Sequence, residues 1–312
     1  MIKVAVASRS FSKHPKLRKE LLRRYPFTKF NDEGVSLHGN DLVNFLKGCE
    51  KAITALEIID ENVLSQLPDL QIIGKYGVGL DMIDLDAMNK FSVKLGWTGG
   101  VNRRSVSELV ISAAIGILHK SFFSNKEVLK KSWYQIKGRQ LSECTFGIIG
   151  CGHIGKDLVK LLKPFNCNVL SHDIKDYSKF YEQNNVTKCS LNDVLKKSDV
   201  ISLHLPLDDS TRNILSKERL DLLKNDAVLI NYARGGLIDE GALKRILKND
   251  KLTGVALDVF NNEPPKDFEL ISHDKVFVTP HIGGSSEEAI YAMGMAAIDG
   301  LDSAKEALSY KL

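Results

Sequence analysis

The sequence contains no CxxC pair, no long uncharged run and no marked excess of either charge, and each absence removes a class of protein. Its five cysteines, Cys49, Cys144, Cys151, Cys167 and Cys189, are odd in number and scattered. Neither a disulfide framework nor a zinc site is expected, and no metal is assigned. The longest stretch without Asp, Glu, Lys or Arg is twelve residues, Cys144 to Gly155. A spanning helix needs about 20 apolar residues, and the N-terminus sets Lys3 and Arg9 around a short alternating apolar run. No membrane span or signal peptide is expected, and the cytoplasm is the expected location. Lys and Arg number 43 against 39 Asp and Glu, for a net charge of +4. The one basic cluster, Lys13, Lys16, Arg18, Lys19, Arg23 and Arg24, reads as the solvated face of an early helix whose apolar side holds Leu17, Leu21 and Leu22. A phosphorylated ligand nearby is the sharper alternative. Without a broader basic stripe, no nucleic-acid partner is expected.

What is present is ordinary globular composition, 43% hydrophobic and 26% charged over 312 residues, enough for two domains at roughly 150 residues each. Short β-branched runs alternate with helical patterns, the mark of parallel βα units and an α/β fold. The first third predicts strands over 2–7, 52–56, 71–73 and 93–95, and helices around 17–24 and 41–46. The turn-rich Gly96-Trp97-Thr98-Gly99-Gly100 makes a domain boundary. An apolar helix over 107–119 suits an interface, and 126–140, with Trp133 and Tyr134, reads as an exposed arm that could serve packing or a dimer contact. Six further strands are predicted over 145–149, 168–171, 200–203, 227–230, 254–257 and 276–278. A tail helix over 287–308 is expected to return to the first domain. The resulting division is a first domain of 1–100 with 285–312 and a second of 101–284.

Gly150-Cys151-Gly152-His153-Ile154-Gly155 ends one predicted strand and opens a helix, and its three glycines fit GxGxxG. The first permits the tight turn, the second lets backbone approach a pyrophosphate, and the third lets the helix pack on the strand. Asp173 closes the next strand, where a carboxylate accepts hydrogen bonds from ribose hydroxyls and repels a 2′-phosphate. NAD is therefore the expected cofactor, with Lys175 leaving room for NADP. Three later segments place candidate chemistry after strands: Asn231 to Asp239 with Arg234, Asp258 to Pro265 with Glu263, and Thr279 to Gly284 with His281.

Together with Lys75-Tyr76-Gly77-Val78-Gly79-Leu80-Asp81 these motifs resemble the D-isomer-specific 2-hydroxyacid dehydrogenases along essentially the whole chain, nearest to their phosphoglycerate dehydrogenase-like branch. The resemblance implies a flavodoxin-like substrate domain, discontinuous in sequence, and a Rossmann-type NAD-binding domain, with the active site in the cleft between them. It makes Arg234 the group that holds the substrate carboxylate, which a planar guanidinium fork suits. His281 becomes the general acid/base and Glu263 its partner, a carboxylate that stabilises imidazolium. It gives Lys75 and the amides of Val78 and Gly79 to the substrate. Asp258 falls to the nicotinamide amide and His153 and Ile154 to the pyrophosphate turn, while Leu205, Pro206, Tyr232, Ala233, Gly283 and Gly284 line the dinucleotide cleft beside Arg234 and His281. His204 is expected to shape a loop near the cofactor.

The chain departs from the family pattern at Lys75, usually arginine, at Ser107, commonly alanine, and at Gly99, usually proline. The implied activity is NAD-dependent hydride transfer at C2 of a small D-2-hydroxy acid or 2-keto acid. A phosphoglycerate dehydrogenase-like substrate is expected first, with glyoxylate/hydroxypyruvate reductase or D-lactate-type activity as the alternative. A formate dehydrogenase relative would carry glutamine where Glu263 stands. An NAD-sensing binding protein like the family's co-repressor relatives is the reading of another class. A homodimer through the NAD domain is expected, and no regulatory domain is expected after Leu312.

Overall fold

Buried runs of valine, isoleucine and leucine build two separate parallel sheets, one in each of the units into which the chain divides. Unit one is Met1–Asn102 with Glu287–Leu312, and unit two is Arg103–Ser286. The computed structural model describes residues 2–311. The expected α/β class, with its flavodoxin-like and Rossmann-type sheets, is what the strand orders give.

In unit one, β1 (Val4–Val6), β2 (Thr28–Phe30), β3 (Lys51–Thr54), β4 (Ile72–Lys75) and β5 (Lys94–Gly96) are all parallel, in the order β2-β1-β3-β4-β5. This is the flavodoxin-like order. The helix Glu287–Ser303 lies on β4 and β5. Glycines on both sides set that approach: a Cβ on Gly96 would stand 2.2 Å from the Gly300 carbonyl oxygen, and one on Gly74 would stand 2.4 Å from that of Ala297. The helix Pro15–Arg24 is capped by His14, whose Nδ1 accepts from the Leu17 amide at 3.3 Å, and opens on Pro15. It buries Leu17 and Leu21 but leaves Leu22 exposed, a correction to the predicted face. Its cations meet local carboxylates, Arg18 with Asp32, Arg23 with Glu20, and Arg24 with Asp299 and Asp302.

In unit two, β6 (Thr145–Ile149), β7 (Asn168–His172), β8 (Val186–Lys188), β9 (Val200–Leu203), β10 (Ala227–Asn231), β11 (Leu252–Leu257) and β12 (Val276–Val278) form one parallel sheet in the order β12-β11-β10-β9-β6-β7-β8. Counted from β8, this is the dinucleotide-fold order with a seventh strand, and the direction of winding reverses between β6 and β9. One face is covered by the helices Arg103–Leu118 and His153–Leu162, which bury Val110, Ala114, Leu158 and Leu162. Arg104 joins those two helices by donating from Nε and Nη2 to both carboxylate oxygens of Asp157, each at 2.9 Å. Among the described residues, no single helix is long and apolar enough to cross a membrane.

The structure corrects the sequence expectation in three places. Among the described residues five strands stand in unit one where four were expected and seven in unit two where six were expected, and the unanticipated ones, β2 and β8, are three-residue edge strands carrying Thr and Lys. With one side unpaired they need no apolar run, so periodicity does not reveal them. The expected arm begins as a helix, Ser121–Leu129, and only 130–140 lacks helix and strand. The tail helix stops at Ser303, and a 3-10 turn, Ala307–Tyr310, follows the reciprocal bonds between Leu95 and Lys305.

Candidate active site

β6 runs straight into the glycine turn. Gly150 has φ +96°, and a Cβ there would lie 2.4 Å from the His204 carbonyl oxygen, so both backbone conformation and space require glycine. Gly155 packs its helix against the turn, since a Cβ would lie 2.3 Å from the Gly150 oxygen. Gly152 differs: it is the N-cap of the helix His153–Leu162, no side chain caps it, and the space its Cβ would take is open. Uncapped amides and the positive end of the helix dipole therefore face a place without a side chain, which fits a pyrophosphate.

Asp173 follows β7 and turns back toward the same place. Its Oδ2 accepts from the Cys151 amide at 2.6 Å and its Oδ1 from the Lys175 amide at 2.8 Å, which orients the carboxylate with lone pairs left for ribose hydroxyls. Lys156 sets its ammonium 3.5 Å from the centre of the Tyr177 ring nearby. Burial pushes the Cys151 thiol up, so this cysteine at the turn is not a nucleophile.

The carboxyl ends of β10, β11 and β12 carry the candidate chemistry. After β10, the Asn231 side chain closes a turn: its Nδ2 donates to the Arg234 carbonyl at 2.8 Å, and its Oδ1 accepts from the Ala233 amide at 3.2 Å. Tyr232 and Ala233 are buried in this turn, and Arg234 donates from Nη1 to the Ala233 carbonyl at 2.7 Å. Burial is the main cause that raises the Tyr232 phenol. Asn261 steadies the next step by accepting from the Gly236 amide at 2.6 Å.

Asp258, only 1% exposed, organises the loop that carries the histidine. Its carboxylate accepts from Thr279 Oγ1 at 2.6 Å and from the Ile282 and Gly283 amides at 2.7 Å each. Its carbonyl accepts from the His281 amide at 2.9 Å. Held this way, His281 adopts φ +54°, an uncommon backbone state for a residue with a side chain. Its Nδ1 lies 2.7 Å from Glu263 Oε2, and Glu263 Oε1 accepts from the Phe260 amide at 3.2 Å. With Nδ1 carrying the proton shared with the carboxylate, Nε2 is the ring atom left to give or take one.

The structure thus brings Glu263 and His281 together and sets Arg234 on a neighbouring loop of the same edge. Leu205 and Pro206 follow β9, and Gly283 and Gly284 follow His281. His204 sits between β9 and Leu205 with both ring nitrogens buried and without partners, and burial pushes its imidazole down to about 3. Lys75, Val78 and Gly79 lie in unit one. Lys75 is 4% exposed and its ammonium donates to the Ala55 carbonyl at 2.6 Å and the Tyr76 carbonyl at 3.3 Å. Reading the sequence missed Asn231, Asn261 and Thr279, whose signal is a short polar side chain at the end of a strand or in the loop that follows it.

A family model for the NAD binding domain of the D-isomer specific 2-hydroxyacid dehydrogenases matches residues 111–283. The chain belongs to that family. Unit two therefore carries the NAD binding domain of that family. Among curated relatives, D-3-phosphoglycerate dehydrogenase of Methanocaldococcus jannaschii is 36% identical over 239 residues, covering 76% of this chain and 46% of that protein. Hydroxypyruvate reductase of Thermotoga maritima is 32% identical over 246 residues, covering 77% and 79%. The chain spans about half the length of the phosphoglycerate dehydrogenases it matches. Among solved structures, D-lactate dehydrogenase of Aquifex aeolicus, complexed with NAD and lactic acid, superposes with a TM-score of 0.85 at 26% identity, over 96% of this chain and 95% of that one.

Proposed function

We propose that the protein is an NAD-dependent oxidoreductase interconverting a small D-2-hydroxy acid and its 2-keto acid. The observation that carries this reading is the 2.7 Å His281–Glu263 pair on a loop fixed by Asp258. When bound, NAD supplies the hydride exchange at its nicotinamide. Gly150, Gly152, His153, Ile154 and Gly155 would hold the pyrophosphate, with Asp173 on the ribose hydroxyls and Leu205, Pro206, Tyr232, Ala233, Gly283 and Gly284 along the dinucleotide.

Arg234 binds the substrate carboxylate and polarises the keto oxygen. His281 gives its Nε2 proton to that oxygen during reduction and takes the hydroxyl proton during oxidation. Glu263 keeps the ring oriented through Nδ1. The amides of Val78 and Gly79 are assigned to the same carboxylate.

Within this class we place a phosphoglycerate dehydrogenase-like substrate first, supported by relatives of that name. Glyoxylate/hydroxypyruvate reductase and D-lactate-type activity are the alternatives, supported by relatives with those names. The deciding assay is NADH oxidation with glyoxylate, hydroxypyruvate, pyruvate and 3-phosphohydroxypyruvate. Saturation at low concentration by the phosphorylated acid alone is the expected result, indifference to its phosphate removes the narrower reading, and no turnover with any acid removes the wider one. The homodimer we assign to unit two uses the segment 130–140, where Trp133 and Tyr134 are 86% and 55% exposed.

A further inference from the structure

We propose that Lys75 and Trp97 are positioning residues that fix the peptide planes of the 76–79 turn in unit one, so that the Gly77 and Gly79 amides face the substrate carboxylate. The proposal rests on the reading above that the Val78 and Gly79 amides meet the carboxylate, and it deepens it by naming what holds the turn and by adding the Gly77 amide to the set.

Lys75 ends β4 and its side chain lies beneath the turn that follows. The ammonium donates to the carbonyls of Ala55, after β3, and Tyr76, so it ties the loops after two adjacent strands together. Gly77 has φ +116°, a backbone state that favours glycine, and a Cβ there would stand 3.4 Å from Lys75 Nζ, in ordinary contact, so conformation and not space calls for glycine where the turn passes the ammonium. Trp97, just after β5, grips the other end: its Nε1 donates to the Val78 carbonyl at 3.2 Å. The indole is itself set by Tyr310, edge-on at 5.5 Å and 85°.

Peptide planarity turns these two bonds into a statement about the amides. In a trans peptide a carbonyl and the next N–H point in opposite directions. The Tyr76 carbonyl directed at Lys75 sends the Gly77 N–H away from the ammonium, and the Val78 carbonyl directed at Trp97 sends the Gly79 N–H away from the indole. The amides of Gly77, Val78 and Gly79 donate to no group among the described residues, and all three residues are partly exposed. Successive unpaired amides of this kind form an anion-binding concavity. The Lys75 charge acts through the backbone, since two of an ammonium's three donors already serve carbonyls. Lys75 is thereby a residue that shapes the substrate site, not a ligand of the substrate.

Trp97→Phe keeps an aromatic ring beside Tyr310 and removes the Nε1–H together with part of the indole's bulk. In the full-length protein it is expected to raise KM for the accepted keto acid on the order of 10-fold while leaving kcat and the KM for NADH unchanged, the mark of lost uniform binding. Lys75→Met is expected to raise the same KM at least as much, and should it fail to fold, Trp97→Phe carries the test. An unchanged keto-acid KM in Trp97→Phe, or kcat and both KM values moving together, overturns the proposal. Hydrogen exchange with NADH and oxalate separates the two possible failures. If oxalate leaves the Gly77 to Gly79 amides unprotected in the wild type, the carboxylate reading falls and takes the proposal with it. If oxalate protects wild type and Trp97→Phe equally, the carboxylate reading stands and the positioning role falls.

Discussion

The carboxyl edges of the two sheets are built on opposite plans. In unit two the proposed chemistry lies in side chains, with Arg234, Glu263 and His281 displayed by turns that Asn231 and Asp258 hold. In unit one the chemistry is in the backbone, and the side chains of Lys75 and Trp97 are consumed in shaping it. A reacting proton needs a titratable group, whereas binding a carboxylate needs only fixed donors. Damage to the first edge should therefore appear in turnover, and damage to the second in substrate affinity.

The most forceful way to break this contrast is His281→Gln. Without an acid/base at Nε2, kcat should fall on the order of 10²- to 10⁴-fold in steady-state assays while NADH still binds. Normal turnover would make unit two's edge a binding surface like unit one's. A smaller effect is expected at His204, whose buried neutral imidazole belongs to the fold and not to the chemistry. Its folded value lies below the ordinary 6.5, so its stabilising share is whole above that pH and is lost as pH falls toward 3. The slope is up to about 1.4 kcal/mol per pH unit. Urea titrations between those limits should show a flatter acid decline for His204→Gln, and identical slopes would place the ring in contact with water. The least effect on folding is expected from Trp133→Ser with Tyr134→Ser, which should change stability by less than about 0.5 kcal/mol. Sedimentation should then show a monomer, and an intact dimer would move the interface elsewhere.

Legibility in the sequence follows the same division. Strands β6, β9 and β12 could be read to the residue, because each is a short apolar run rich in β-branched residues and bounded by turn residues, buried in β6 and β9 and partly exposed in the edge strand β12. Strands β2 and β8 could not, since an edge tolerates Thr and Lys. Glu263 and His281 were legible as a pair through the family resemblance of the motifs that carry them, and their side chains meet at 2.7 Å. Trp97 was not, because its bond to Val78 joins residues that nothing in their spacing connects. Lys75 was noticed for its charge and given to the substrate, yet its donors reach backbone carbonyls. A sequence names a cation without showing which oxygen it meets.

The close seating of the helix Glu287–Ser303 on β4 and β5, glycine against glycine at Gly96 and Gly300, also has a consequence in time. Unit two is one unbroken stretch of chain, and all of it leaves the ribosome before this helix does. β4 and β5 emerge earlier still, yet the face that Gly74 and Gly96 prepare stays uncovered until every residue of unit two has been made. During synthesis, unit one starts before unit two and is completed after it, and its uncovered face is the surface a chaperone would meet in the interval.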